Sequence, residues 1–149
     1  MVVGSLHIRD IWYARALLPV FLHDDCKKIE RIPKKRACYL INGDRLLTVK
    51  KSKKQKTKTG WTWFFNFSTE TEFIKADYRK SYVLLVCADK VCALERQEVM
   101  GVFDPNRPYL RIRYADSRYS VSGFKKGAMP LITLKRSCGD ILDYFFSAR

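Results

Sequence analysis

The basic residues of this chain are concentrated in one stretch, from Lys27 to Lys58. Thirteen lysines and arginines lie there against two acidic residues, Glu30 and Asp44, so 32 residues carry +11 of a formal net charge of +14. Charge this dense raises the local potential and attracts polyanions, and nucleic acid rewards it because each neutralised phosphate releases a counterion. The alternative is a solvated surface that only aids solubility, but a surface with charges of both signs would serve solubility better. The stretch therefore predicts a nucleic-acid-binding surface.

The side chains expected to contact nucleic acid are cationic or aromatic. They are Lys34, Lys35, Arg36, Lys50, Lys51, Lys53, Lys54, Lys56, Lys58, Trp61, Trp63, Arg111 and Arg113. The cations would hold phosphates, which gives affinity and positioning but reads little sequence. Trp61 or Trp63 would stack on an unpaired base, although strand alternation equally predicts core positions for both. Arg111 and Arg113 would extend the basic surface or simply face solvent.

Cysteine and histidine do not form a recognisable site. The five cysteines include no CxxC pair, and His7 and His23 are the only histidines, which disfavours a structural zinc. Cys38, Cys87 and Cys92 lie in apolar runs, where reduced cysteine behaves as a small core residue, so we expect a reducing, cytoplasmic setting. The chain also lacks a Walker loop, a GxGxxG motif and a nucleophile elbow, which disfavours ATP-dependent chemistry and acyl transfer.

No signal peptide or membrane span is expected. The apolar segment Ile11–Leu22 contains Arg15 and Pro19 and is too short to cross a bilayer. Peripheral binding to an anionic membrane would need an amphipathic basic helix, and Lys50–Lys58 lacks the apolar residues for one. We therefore expect nucleic acid, DNA or RNA, as the partner, with a homodimer as an open possibility.

The elements that must position these residues suit a single α+β domain over residues 1–149. Ser5 as a cap and helical spacing predict a helix over Leu6–Leu18, whose continuation Pro19 should limit. Asn42-Gly43-Asp44 predicts a hairpin of Ala37–Ile41 with Arg45–Lys50, followed by a mobile loop, Lys51–Gly60. Further strands are predicted at Trp61–Phe67, Tyr82–Cys87, Val91–Leu94, Leu110–Tyr114, Arg118–Val121 and Leu131–Leu134, and short C-terminal helices at Glu95–Val102 and Asp140–Phe146. Tyr82–Cys87 is continuously apolar, as in a central strand buried on both faces. The sheet should be mixed and mostly antiparallel.

One string on this hairpin carries a family resemblance. From Cys38 to Ser52 it reads Cys-Tyr-Leu-Ile-Asn-Gly-Asp-Arg-Leu-Leu-Thr-Val-Lys-Lys-Ser, followed by Trp63-Phe64-Phe65-Asn66-Phe67, then Tyr82–Val86 and Leu94–Val99. In this order, over roughly residues 5 to 122, the chain resembles the restriction-endonuclease-like PD-(D/E)xK superfamily. In that superfamily a helix precedes the hairpin, the first hairpin strand carries an Asp, and the second carries Glu-x-Lys or Asp-x-Lys.

The resemblance implies a nuclease-like fold but not the standard metal site. In the superfamily two acidic groups hold Mg²⁺ and the lysine orients the attacking water. Here Lys50 matches the lysine, Thr48 stands where the Glu would be, and none of Ala37, Cys38 and Tyr39 is acidic. We expect a scaffold that binds nucleic acid without catalysis and without a cofactor.

Three alternatives stay open. The first is an active Mg²⁺-dependent nuclease, with Lys50 catalytic and with relocated acids drawn from Asp24, Asp25, Glu30, Glu70, Glu72 and Asp77. The second is a basic protein that docks on an acidic protein through charge complementarity. The third concerns the fold, because an OB-type or B3-like barrel would also produce a run of short strands.

Overall fold

The structure is a computed structural model and describes residues 2–3, 14–35, 37–52, 54–67, 78–87, 90–132, 142–143 and 145–147. It has the α+β class that the sequence predicts. The helices are α1 (Ala14–Phe21) and α2 (Arg96–Val102). The strands are β1 (Val2–Val3), β2 (Lys28–Arg31), β3 (Cys38–Ile41), β4 (Arg45–Lys51), β5 (Gln55–Lys56), β6 (Gly60–Asn66), β7 (Lys80–Cys87), β8 (Lys90–Glu95), β9 (Tyr109–Ala115), β10 (Arg118–Gly123) and β11 (Leu131–Ile132).

The strands form two sheets instead of one central sheet. The first sheet is mixed, in the order β1-β2-β3-β4-β7-β8, with parallel pairs at β1–β2 and β4–β7. The second sheet is antiparallel, in the order β11-β10-β9-β6-β5. The predicted hairpin is the β3–β4 pair. Its turn has positive φ at Asn42 and Gly43, the combination that type I′ turns require.

The core has two parts, one on each face of the first sheet. Every residue of β7 is buried, which confirms the prediction of a central strand. Tyr82, Leu84 and Val86 pack toward α1 and Phe145, whereas Val83 and Leu85 pack against the inner face of the second sheet. The first sheet is therefore the middle of three layers, and a continuous apolar run is what such a position requires.

The helix predictions need a correction at Pro19. The described part of α1 begins at Ala14 and continues past Pro19 to Phe21, so the proline does not end the helix where the sequence predicted. Leu17 and Val20, on either side of it, are buried in the first core, and this packing outweighs the lost backbone donor. Residues 6–13 of the predicted helix lie outside the described residues.

The remaining C-terminal predictions agree where they can be compared. Helix α2 occupies the predicted segment and begins with a capping box between Glu95 and Glu98. Leu142, Asp143, Phe145 and Phe146 are helical, within the predicted closing helix. Leu131 and Ile132 form β11, and the last two residues of that predicted strand are outside the described part of the chain.

The lysine-rich segment Lys51–Gly60 is not simply a mobile loop. Gln55 pairs with Thr62 and Lys56 pairs with Trp61, so the segment forms a β-hairpin on the edge of the second sheet. The Thr57 N–H donates to the Gly60 carbonyl at 2.9 Å, and the Gly60 N–H donates to Thr57 Oγ1 at 3.1 Å. Strand β5 pairs with β6, and β6 is itself paired with β9. This pairing orders a segment that would be mobile as an isolated lysine-rich loop.

Gly60 fits this hairpin against β9, and replacing it should destabilise the protein. A Cβ at position 60 would lie 1.8 Å from the Tyr114 carbonyl oxygen, a backbone atom that cannot rotate away. We expect Gly60→Ala to lower the free energy of unfolding by about 1–3 kcal/mol, the usual cost of overpacking. Urea denaturation followed by tryptophan fluorescence measures this.

Gly101 provides the matched control for that substitution. It lies exposed in α2, and a Cβ there would meet nothing within 4 Å. Gly101→Ala should leave stability unchanged or raise it by about 0.5–1 kcal/mol, because alanine loses less backbone entropy in a helix. Equal effects of the two alanines would contradict the close approach at Gly60.

Candidate nucleic-acid interface

The β5–β6 hairpin carries the exposed lysines of the basic stretch. Lys54, Lys56 and Lys58 are all exposed, and β6 is held along its whole length by β9, from Gly60↔Ala115 to Asn66↔Tyr109. The Arg113 guanidinium donates to Thr59 Oγ1 at 3.1 Å, which joins the turn of the hairpin to β9. The sheet thus holds three ammonium groups at one edge, a geometry suited to phosphate contacts.

The two tryptophans have different environments. Trp63 is only 3% exposed and packs in the second core, so the structure gives it the core position that alternation allowed and leaves it unable to stack on a base. Trp61 is half-buried, and Lys54 Nζ lies 3.9 Å from its ring centroid. This cation–π contact steadies Lys54 above the ring. The exposed ring surface of Trp61 therefore mainly supports Lys54.

A second group of basic residues lies at the end of β4. The Val49 N–H donates to the Ala37 carbonyl at 2.9 Å, so the turn containing Lys34 and Lys35 lies beside the last residues of β4. Lys34 and Lys51 are exposed and Lys35 is half-buried. The structure thus brings these three cations to the same end of the first sheet. Arg36 and Lys53 lie outside the described residues.

Lys50 differs from its neighbours in where it points. It is half-buried, and its Nζ lies 5.5 Å from the ring centroid of Phe67, a fully buried residue of the second core. Its side chain is therefore directed to the junction of the two sheets and not to the outer surface that carries Lys51. This placement suits a positioning contact better than a phosphate contact on the outer surface.

The positions where the resemblance would place metal-binding acids are paired in the structure. Cys38 and Thr48 face each other across β3–β4, with Cys38 Sγ 3.8 Å from Thr48 Oγ1, and both side chains are fully buried. A thiol and a hydroxyl in an enclosed site do not suit a hard cation, which prefers anionic oxygen ligands. The residues present do not fit Mg²⁺ there.

Of the acids proposed as substitutes, the structure describes Asp24, Asp25 and Glu30, and these three form no metal-binding group. Asp24 and Asp25 are exposed, and Glu30 forms an ion pair with Lys28. Across the described ranges, no three His, Cys, Asp or Glu side chains come close enough to share a metal ion. Glu70, Glu72 and Asp77 lie outside the described residues.

A separate basic cluster, which the sequence reasoning missed, lies at the opposite end of the first sheet. Arg45 and Lys80 are neighbours in strand register at the start of the parallel strands β4 and β7, and both are buried. Burial, together with Arg45 and Arg79, lowers the pKa of Lys80 below its usual 10.5. The Lys80 ammonium donates to Ser147 Oγ at 2.7 Å. A cavity of about 260 Å³ adjoins the cluster, lined by Tyr78, Arg79, Lys80, Ser81, Tyr82, Glu95, Arg96 and Gln97.

The buried cysteines are core residues, as predicted for Cys38, Cys87 and Cys92. A hydrogen bond with Cys92 and burial raise the pKa of the Cys87 thiol, and burial raises that of Cys26. Thiols with raised pKa values stay protonated at neutral pH and are poor nucleophiles. Cys26 and Cys87 are therefore weak nucleophiles. Cys138 is outside the described residues.

Arg111 and Arg113 lie on the outer face of the second sheet and are exposed. The sequence reasoning did not select the aromatic residues beside them, among them Phe64, which is 44% exposed. A signal was present, because Phe64 alternates with Trp63 and Phe65 and must point to the opposite face. Its juxtaposition with Arg111 arises from strand register, which sequence patterns do not reveal.

No protein-family model matches the chain, and neither curated proteins nor solved structures give a significant match. Within the described residues, no helix is both long enough and apolar enough to cross a membrane.

Proposed function

We propose that this chain is a nucleic-acid-binding protein, with DNA favoured over RNA, on a nuclease-like scaffold that lacks the metal-binding acids. The observation that carries the proposal is the exposed, ordered lysine row on the β5–β6 hairpin. From Arg45 to Phe67 the chain contains no Asp or Glu. Within the part of the chain that the structure describes, no carboxylate pairs with Lys54, Lys56 or Lys58. Such an uncompensated row is costly in isolation and is relieved by a polyanion.

The restriction-endonuclease-like assignment is part of this proposal. Helix α1 precedes the β3–β4 hairpin in the order that the resemblance requires, and Lys50 occupies the lysine position of the second strand. The preference for DNA rests on that resemblance. The buried pair Cys38 and Thr48 contains no carboxylate and so favours binding over catalysis, because a metal-dependent phosphodiesterase needs anionic ligands at its metal.

The direct test is a binding and cleavage comparison on the same oligonucleotides. Fluorescence anisotropy with labelled duplex DNA, single-stranded DNA and RNA, over a salt series, should show binding in which log K falls with log salt at a slope of about −5, if about six phosphates are neutralised. Incubation with Mg²⁺ or Mn²⁺ should leave all substrates intact.

Two results would overturn the proposal in different ways. Cleavage that disappears in Lys50→Ala would establish that the protein is a Mg²⁺-dependent nuclease. It would contradict the proposal that the scaffold binds nucleic acid without catalysis. Undetectable binding to every nucleic acid at low salt would favour docking on an acidic protein instead.

A further inference from the structure

The outer face of the second sheet combines aromatic and arginine side chains. Direct cross-strand partners share a face, so the register defines two rows, Thr62–Arg113–Ser120 and Phe64–Arg111–Ser122. The alternating residues of the same strands point inward, where Phe65, Leu110 and Ile112 are almost fully buried. The outer rows consequently face away from the core.

Three aromatic rings on this face are exposed. Phe64, Tyr109 and Phe124 are 44%, 39% and 43% exposed. The ring centroids of Tyr109 and Phe124 lie 6.3 Å apart at 85°, and a cleft of about 100 Å³ is lined by Phe64, Arg111, Ser122, Gly123 and Phe124. Single exposed apolar residues need no explanation, but a cluster around a cleft marks a binding surface.

The cations on this face are arginines, and among the described residues no carboxylate forms a salt bridge with them. Arg111 and Arg113 are exposed, and the Arg107 guanidinium carbon lies 4.1 Å from the Phe124 ring centroid. Strands β6, β9 and β10 contain no Asp or Glu. Arginine both binds phosphate in a bidentate manner and stacks on planar groups. The Arg113–Thr59 hydrogen bond joins the turn of the lysine hairpin to strand β9 of this sheet.

These features select one class of ligand. A duplex keeps its bases stacked on each other and would use only the cations, whereas an unpaired strand offers base faces to the rings and phosphates to the arginines. An apolar protein surface would match the rings but leave the arginines without counter-charges.

We propose that the outer face of the second sheet binds single-stranded nucleic acid. Bases stack on Phe64, Tyr109 and Phe124, and phosphates contact Arg111 and Arg113. The inference rests on the proposed function and names the ligand class that this face would take, alongside the lysine hairpin, which contacts phosphates of either single or double strands.

The test compares aromatic variants on single-stranded and duplex DNA. Anisotropy with a labelled oligothymidine of about 16 nucleotides, the upper site size of known single-strand-binding domains, and with a duplex of equal length, reports both affinities. Phe64→Leu and Phe124→Leu keep an apolar side chain but remove the ring, and each should weaken single-strand binding about 5-fold to 150-fold. Phe64→Tyr should retain binding, and duplex affinity should stay unchanged in all three.

The outcomes separate this inference from the function on which it rests. Leu22→Ala, an exposed apolar residue just beyond α1, is the control and should change nothing. Single-strand binding that survives both leucine variants but falls when Lys54, Lys56 and Lys58 are replaced would overturn the stacking face and leave the lysine hairpin standing. Absence of binding to any oligonucleotide would overturn both proposals. If Phe64→Leu abolished sedimentation with phosphatidylserine vesicles while leaving oligothymidine binding intact, the face would be a membrane contact and the inference would fail.

Discussion

Replacing Lys54, Lys56 and Lys58 together by glutamine should weaken duplex DNA binding on the order of 10²-fold at about 0.1 M salt. Each lysine that neutralises one phosphate contributes about 0.9 to the slope of log K against log salt, so the slope should become shallower by about 2.7. The side chains are exposed, and Gln55 and Thr62 keep the hairpin paired, so the fold should survive. Anisotropy titrations over a salt series measure both quantities.

A charge-matched control separates this site from the overall charge of the protein. Lys27, Lys28 and Arg79 are exposed at the other end of the first sheet, where Asn42 Oδ1 accepts from the Lys27 N–H and Arg79 lies near Asp44. Glutamine at these three positions removes the same charge far along the strands from the lysine hairpin. The slope should change little. Equal losses in the two triple variants would mean that binding follows net charge and has no defined site.

Introducing an acid at the position of Thr48 should strongly destabilise the protein. The Thr48 side chain is fully buried opposite Cys38, so a glutamate there would be both oversized and uncompensated. Burial raises the pKa of such a carboxyl. Holding it in the folded state at neutral pH therefore costs free energy that lowers the stability of the fold. We expect Thr48→Glu to lower the free energy of unfolding by about 3 kcal/mol or more, measured by urea denaturation at neutral pH.

Two controls, a Thr48→Val variant and added Mg²⁺, show the cause of any destabilisation by Thr48→Glu. Thr48→Val replaces only the hydroxyl near Cys38 Sγ by a methyl group and should cost less than about 1 kcal/mol. Adding Mg²⁺ should not rescue Thr48→Glu, because the structure provides no anionic partner at Cys38. A glutamate variant that kept its stability and gained more with Mg²⁺ would show that a metal can enter, and the nuclease alternative would regain its site.

The elements best predicted from sequence are those governed by local physics. Asn42-Gly43 tolerates positive φ, so it specified the β3–β4 turn before any tertiary contact was known. The run Tyr82–Cys87 is apolar throughout, which favours a strand with apolar neighbours on both faces. In the structure β7 lies between the two cores. The order of these elements also supported the α+β class.

The elements missed or misplaced depend on pairing between distant segments. The lysine segment has little tendency to fold by itself, and it becomes β5 only because β6 pairs with it while β9 holds β6. Pro19 ends a helix in isolation but not when Leu17 and Val20 are buried beside it. The division of strands between two sheets is likewise a matter of long-range register.

By itself the sequence determined the charge of this protein, since composition and order place +11 of the +14 within 32 residues whatever the fold. Only the tertiary structure decided which side chains that surface presents. It buried Trp63 in the core, exposed Phe64 on the opposite face, and set Phe64 directly across from Arg111. Alternation along a strand specifies two faces, but burial against another sheet chooses the inner one, and the register of a strand nearly fifty residues away chooses its neighbours.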